Sequence, residues 1–198
     1  MGLRDIGSDV GCLLRRDGVR ETVRRVAGGF RQGDLLVLLK RLDEIHDISF
    51  HAALEIEDLA PHSLSALAEL NRRRCDTRAN ARFAADIEHG YHGFVALLDG
   101  GIVGYFWWTD GDHPHLRRLG VELQPGDVYG FDFFVAAEQR GEGRAVAFLH
   151  AIETALVERG YTRLWGYVRA DNRPARWLYS MRGYEVFKHV RLRVGRMR

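Results

Sequence analysis

Gln139-Arg140-Gly141-Glu142-Gly143-Arg144-Ala145 lies between an apolar strand-like run, Val128 to Val135, and an amphipathic helix-like run, Arg144 to Glu158. A glycine-rich turn leading from a strand into a helix aims backbone N–H groups outward at the positive end of the helix dipole. Glycine also removes the Cβ that would hold a ligand away. The pattern suits a phosphate or pyrophosphate. A Walker loop needs a lysine and a Ser/Thr that this turn lacks, and a dinucleotide fingerprint needs a third glycine where Val146 stands. What remains is R-x-x-G-x-A, Arg140 to Ala145, which on its own also fits a tight turn before a capped helix.

Two other groups of residues carry chemistry. Asp132 sits between aromatics in Phe131-Asp132-Phe133-Phe134-Val135. An acid there must be paired or functional, and the paired reading is a structural salt bridge with one of the many arginines. Trp107 to His115 gathers aspartates and histidines without a recognised metal-ligand spacing, so a polar loop is expected and no metal.

Periodicity supplies the helices and strands around these residues. Ala145, Phe148, Leu149, Ile152, Ala155 and Leu156 form one helical stripe, ended by Gly160. Thr162 to Val168 reads as a strand, and strand-helix-strand at this length implies a parallel crossover. A second helix starts at Asp171-Asn172-Arg173-Pro174 and ends at Gly183. Upstream, Pro61–Arg74 and Thr77–His89 read as helices joined by Cys75-Asp76. Strands Gly93–Leu98 and Ile102–Trp108 flank Asp99-Gly100-Gly101, a hairpin signal.

Arg140-x-x-Gly143-x-Ala145 after an apolar strand, followed by Asn172-x-x-Ala175-x-x-Leu178-Tyr179-x-x-x-Gly183-Tyr184, resembles the GNAT (Gcn5-related N-acetyltransferase) superfamily. The resemblance runs from about Phe94 to Tyr184 and extends back towards Ala53. It implies an α/β fold with a mixed central sheet of about six to seven strands, flanked by about four helices. It implies acetyl-CoA as cosubstrate, its phosphates on the loop amides of Gly141, Glu142, Gly143, Arg144 and Ala145, with Arg140 beside them. The pantetheine arm would then pair with backbone at Phe133, Phe134 and Val135, between two strands that splay apart. Asn172 would bond that arm or cap its helix. Tyr179 matches the tyrosine that commonly acts as general acid, and a phenol with a pKa near 10 carries its proton at neutral pH.

The chain departs from better-defined members at the base. Where those carry glutamates, this sequence has Tyr167 on one strand and Tyr129 or Gly130 on the other. Asp132 resembles an acid on the corresponding strand of polyamine acetyltransferases, which implies that it holds the substrate ammonium or relays its proton through water, and Glu122 is a reserve candidate for the base.

Composition fits this class. The 198 residues are 46% hydrophobic, enough for a sizeable core, with no run approaching the ~20 residues that span a membrane. No signal peptide is visible, and Cys12 and Cys75 lack metal spacing, which suits a reducing cytoplasm. A net charge of +2 does not call for nucleic acid, and the Arg191, Arg193, Arg196 and Arg198 tail reads as a solvated strand face.

Residues 1–50 form an extension before a GNAT domain at 51–198: a short helix at Asp17–Ala27 and a buried strand at Asp34–Lys40. Only fourteen residues follow Tyr184, so the usual closing pair of strands looks shortened or merged. The Leu35–Leu39 strand is expected to extend the sheet or to form the contact of a homodimer.

Three functions are compatible with this reading. The first is an N-acetyltransferase acting on a small-molecule amine or peptide terminus. The second is a longer-chain acyltransferase served by acyl-CoA or acyl carrier protein, with an apolar channel near Phe131, Phe133 and Trp107 and docking on Arg20, Arg24 and Arg25. The third is a non-catalytic CoA-binding module.

Overall fold

The computed structural model describes residues 34–44, 54–73, 76, 78–140 and 142–191. The expected Asp17–Ala27 helix, Arg20, Arg24, Arg25, both cysteines, Gly141 and the arginines at 193, 196 and 198 lie outside the described residues. Among those described, 60–90 belong to one compact unit and 34–59 with 91–191 to the other.

The first unit holds α1 (Leu64–Arg73), entered through a 3-10 turn at Pro61–Ser63, and α2 (Arg78–Glu88). Asn71 Nδ2 donates to Asn80 Oδ1 at 2.8 Å, and the Asp76 N–H donates to the Asn71 carbonyl at 3.0 Å. These bonds join the two helices across their short connection.

In chain order the second unit runs β1 (Asp34–Arg41), β2 (Glu55–Asp58), β3 (His92–Leu98), β4 (Gly101–Thr109), α3 (Pro114–Leu119) and β5 (Asp127–Val135). It continues through α4 (Arg144–Glu158), β6 (Arg163–Arg169), α5 (Arg173–Met181) and β7 (Glu185–Arg191). The strands make one seven-stranded sheet in the order β2-β3-β4-β5-β6-β1-β7. Every pair is antiparallel except β5 with β6, which the α4 crossover makes parallel. The hairpin between β3 and β4 turns at Asp99 and Gly100, both with positive φ (51° and 74°), as a tight two-residue connection demands.

One face of the sheet, with Phe94, Phe106, Val128 and Leu164, clusters with Phe148, Leu149, Ile152 and Leu156 of α4. Each of those four α4 side chains is fully buried, contributing ~1.5–3 kcal/mol. The other face, with Leu35, Val37, Tyr129 and Trp165, clusters with Leu116 and Leu119 of α3. Helix α3 falls where a polar loop was expected. Its signals are local: Pro114 in the first turn, and Gly120 in the left-handed conformation at the end.

Of the two roles expected for Asp34–Lys40, the strand takes the first and adds to the sheet, from within: β1 is inserted between β6 and β7 and pairs with both. Leu35 to Leu38 are all buried, because a strand inside a covered sheet is apolar on both faces. The closing pair is therefore assembled from the two ends of the chain, one strand being β1 and the other β7.

Candidate active site

The glycine turn lies between β5 and α4, where the sequence placed it. Glu142 and Gly143 both have positive φ (55° and 76°), and α4 begins immediately afterwards without a side-chain cap. Ala147 makes the first intrahelical bond, back to the Gly143 carbonyl at 2.9 Å. The N–H groups of the preceding residues in the first turn therefore belong to the open end of the helix, where an anion is stabilised.

The neighbouring guanidiniums are held by the protein. Arg140 Nε donates to the Val135 carbonyl at 2.9 Å, and its guanidinium lies over the Phe134 ring. Arg144 bonds Gln139 Oε1 at 2.5 Å and pairs with Glu142 at 2.6 Å. They frame the turn and leave the backbone amides as its donors. A groove of about 500 Å³ opens here, between Phe133 to Val135 on one side and Asn172, Ala175 and Trp177 on the other. Asn172 Oδ1 caps α5 by accepting from the Ala175 N–H at 3.3 Å, so one of its two expected roles is filled by the fold itself.

Strands β5 and β6 part as expected. Their pairing covers only Asp127–Arg163, Val128–Leu164 and Tyr129–Trp165. Two glycines stand at the fork: a Cβ on Gly166 would lie 3.7 Å from the Gly130 carbonyl, and one on Gly130 would run into the Phe106 ring. Just beyond, Trp108 pairs with Gly130 and Trp107 with Asp132, so Phe131 is an extra residue in β5. Such a bulge bends the strand and re-aims the side chains on its far side.

A second cleft of about 210 Å³ lies beyond the fork, lined by Asp132, Tyr167, Arg169 and Tyr179 and sharing Phe133, Asn172 and Ala175 with the groove. The cleft with Asp132 and Tyr179 thus adjoins the groove lined by Arg140, Glu142, Gly143, Arg144 and Ala145. Asp132 accepts a long hydrogen bond from the Tyr105 hydroxyl at 3.4 Å. Tyr179, half-buried, sets its ring edge-on to Tyr184 at 4.9 Å. Burial, followed by the fields of Tyr167, Asp132 and Glu153, pushes its phenol well above the ordinary value, so it stays protonated throughout the neutral range.

Tyr129 and Tyr167, standing where other members carry glutamates, stack at 6.5 Å. Tyr129 is fully buried, and burial drives its hydroxyl far above pKa 10. It cannot act as a base. Glu122 is exposed and lines neither cleft. Asp110 accepts from Tyr161 at 2.7 Å and Asp112 pairs with Arg117 at 2.9 Å, so these loop carboxylates are engaged at the surface. Among the described residues no group of three metal-ligating side chains occurs.

Sequence reasoning missed Arg118 and Arg169 and took His115 only as part of a polar loop. They lie on α3 and β6 and form, with Leu35, Leu119 and Tyr167, a further cavity of about 220 Å³. Their only signal was the proline-to-glycine frame of α3, because the cavity forms from segments far apart in sequence.

A mixed open sheet whose two parallel strands part beside a glycine-started helix is the architecture of the GNAT acetyltransferases. The sequence model of the Acetyltransferase (GNAT) family matches residues 51–184, and the chain belongs to that family. The fold is similar to the GCN5-related glucosamine N-acetyltransferase region of a fungal multi-domain GH3 β-N-acetylglucosaminidase, with a TM-score of 0.62 and 17% identity. That match covers 85% of this chain and 22% of the other. A GCN5-related N-acetyltransferase from Sphaerobacter thermophilus aligns with a TM-score of 0.56 and 19% identity, over 85% of this chain and 54% of that one. A tandem GNAT protein from the clavulanic acid biosynthesis pathway aligns with a TM-score of 0.57 and 16% identity, over 80% and 51%. The chain thus spans little more than half, or less, of the length of these structures. No curated protein matches its sequence.

Proposed function

We propose that the protein is an N-acetyltransferase that moves an acetyl group from acetyl-CoA to the primary amine of a small molecule or peptide terminus by direct attack. The observation that carries this is that the groove at the start of α4 and the cleft that holds Tyr179 and Asp132 share Phe133, Asn172 and Ala175 as lining. The thioester supplies an activated acetyl group whose leaving group is a thiolate. The amides at the start of α4 would hold the pyrophosphate. The β5 edge at Phe133 to Val135, unpaired with β6, would hold the pantetheine arm and offer an N–H to the thioester carbonyl. Tyr179 would donate a hydrogen bond to the departing sulfur and release its proton as the C–S bond breaks. Asp132 would hold the substrate ammonium and take up its proton, directly or through water. Direct attack is favoured because no cysteine or serine is among the described residues lining this cleft.

A short acyl group is favoured over the long-chain alternative. Trp107 is fully buried and stacks on Phe131 at 6.5 Å, so it fills the place where an apolar channel would run. No helix among the described residues is long and apolar enough to cross a membrane, and we keep the cytoplasmic reading made from the sequence.

Calorimetric titration with acetyl-CoA, free CoA and a long-chain acyl-CoA, followed by thiol release with a panel of amines, tests the proposal. Micromolar acetyl-CoA binding and amine-dependent thiol release are expected. Preference for the long-chain thioester would replace the acetyl reading, and binding without release to any amine would make the chain a CoA-binding module.

A further inference from the structure

We propose that the acceptor is an amine that also carries an anionic group, and that the cavity between α3, β1 and β6 holds that group. The inference rests on the acetyltransferase reading above and narrows its substrate class.

The cavity and the reaction cleft share Tyr167 and Arg169 of β6 as lining, so the two lie side by side. Their charge balance differs: with Arg169 common to both, the cleft adds a carboxylate and the cavity adds a second guanidinium. The cleft holds the Asp132 carboxylate near Tyr179. Among the described residues the cavity is lined by the guanidiniums of Arg118 and Arg169 and by no carboxylate.

The state of each nearby charge strengthens the contrast. Arg169 is held bidentately by Asp171, at 3.0 and 2.9 Å, which fixes its plane and partly neutralises it. Arg117 is taken by Asp112, and Asp34 by Arg191 at 3.1 Å. Lys188 donates to the Gly120 carbonyl just past α3. Arg118 is exposed and forms no ion pair among the described residues, which leaves it as the uncompensated charge of the cavity. A guanidinium of this kind recognises carboxylate or phosphate oxygens in bidentate fashion.

The rest of the lining describes what lies between the two ends. Leu35 and Leu119 make an apolar floor, and His115 stands edge-on to Tyr167 at 5.7 Å as a ring wall. An acceptor with its ammonium at Asp132, an apolar or aromatic middle at Tyr167 and its anion at Arg118 satisfies all three regions. A neutral amine would leave Arg118 unused, and a diamine would place a second cation against two guanidiniums.

The test compares amines that differ only in the distal group: an ω-amino carboxylate with its methyl ester, and an aminoalkyl phosphate with the parent amino alcohol. Initial rates of thiol release are measured together with calorimetric Kd values on the CoA complex. The anionic member of at least one pair should be preferred tenfold or more in kcat/KM, and the better pair identifies the anion. Arg118→Ala should bring that ratio close to one, chiefly through KM, and Arg118→Lys should restore part of it. Arg118→Glu should turn the preference towards diamines. Equal use of charged and neutral members, or a ratio that Arg118→Ala leaves unchanged, overturns this inference alone. Absence of thiol release with every amine, together with no acetyl-CoA binding, overturns the acetyltransferase reading beneath it.

Discussion

Glu153 in the middle of α4 and Arg182, the residue that ends α5, form an ion pair buried on both sides. Arg182 also meets His150 Nδ1 at 3.0 Å, and the buried Lys40 of β1 acts on the same carboxylate. Burial raises the Glu153 pKa, and Arg182 opposes it. Three residues before Arg182 stands Tyr179, whose carbonyl accepts from the N–H groups of Arg182 at 3.1 Å and Tyr184 at 3.0 Å. The ion pair therefore fixes the end of the helix that carries the proposed proton donor.

Breaking that pair on one side should cost more than replacing both partners. Glu153→Gln leaves the Arg182 charge buried without its counterion and should destabilise the fold by ~3–5 kcal/mol in urea denaturation. The double variant Glu153→Met, Arg182→Met should recover most of the loss. Equal losses in the single and double variants would show that the pair does not act as a unit.

Tyr179→Phe should lower kcat ~10²- to 10⁴-fold, the usual range for a lost acid-base group, and leave the acetyl-CoA Kd within about twofold. Because burial raises the Tyr179 pKa, its ionisation should produce no fall in wild-type activity between pH 7 and 10. Unchanged turnover in Tyr179→Phe would remove this residue from the mechanism.

Gly143 has φ of 76° at the mouth of the groove, where a β-branched side chain is both strained and in the ligand's way. Gly143→Val should weaken acetyl-CoA binding at least tenfold by calorimetry. Gly160→Ala, at the far end of the same helix with φ of 87° and open space around it, should cost stability and leave binding intact. Equal binding losses in both variants would mean that helix stability, and not the turn, governs affinity.

His113 gives the fold a pH dependence on the acid side. Burial, and then the field of His115, lowers its pKa from 6.5 to about 4, against an opposing pull from Asp112. A depressed pKa means that the folded state binds this proton more weakly than the unfolded chain. The contribution is therefore complete above pH 6.5 and lost as pH falls through 4. The shift corresponds to ~3 kcal/mol, each pKa unit being worth a little over one kcal/mol. Thermal melts of wild type and His113→Gln across that range should converge as pH falls, and parallel curves would contradict the assignment.

Much of the site was legible in the chain itself. The Gly143 turn, the Asn172 cap, the crossover and the Asp99-Gly100 hairpin are local signals, each confined to a few consecutive residues whose backbone preferences show directly in their types. Helix α3 was missed although its proline and glycine frame was present, because the histidines and aspartates around it read as loop chemistry. His113 in fact caps the helix, its Nδ1 accepting from the His115 N–H at 3.1 Å.

Short-range periodicity and glycine placement were enough to set most of the strands and helices, the glycine turn before α4 and the residues at its edge. Three things depended on how the chain packs. Strand β1 enters between β6 and β7, since an all-apolar strand states that it is buried without stating beside what. The Phe131 bulge turns Asp132 to pair opposite Trp107, since register depends on the partner strand. Arg118 and Arg169 converge on one cavity, since α3 and β6 are brought together by the sheet and by no signal either segment carries alone.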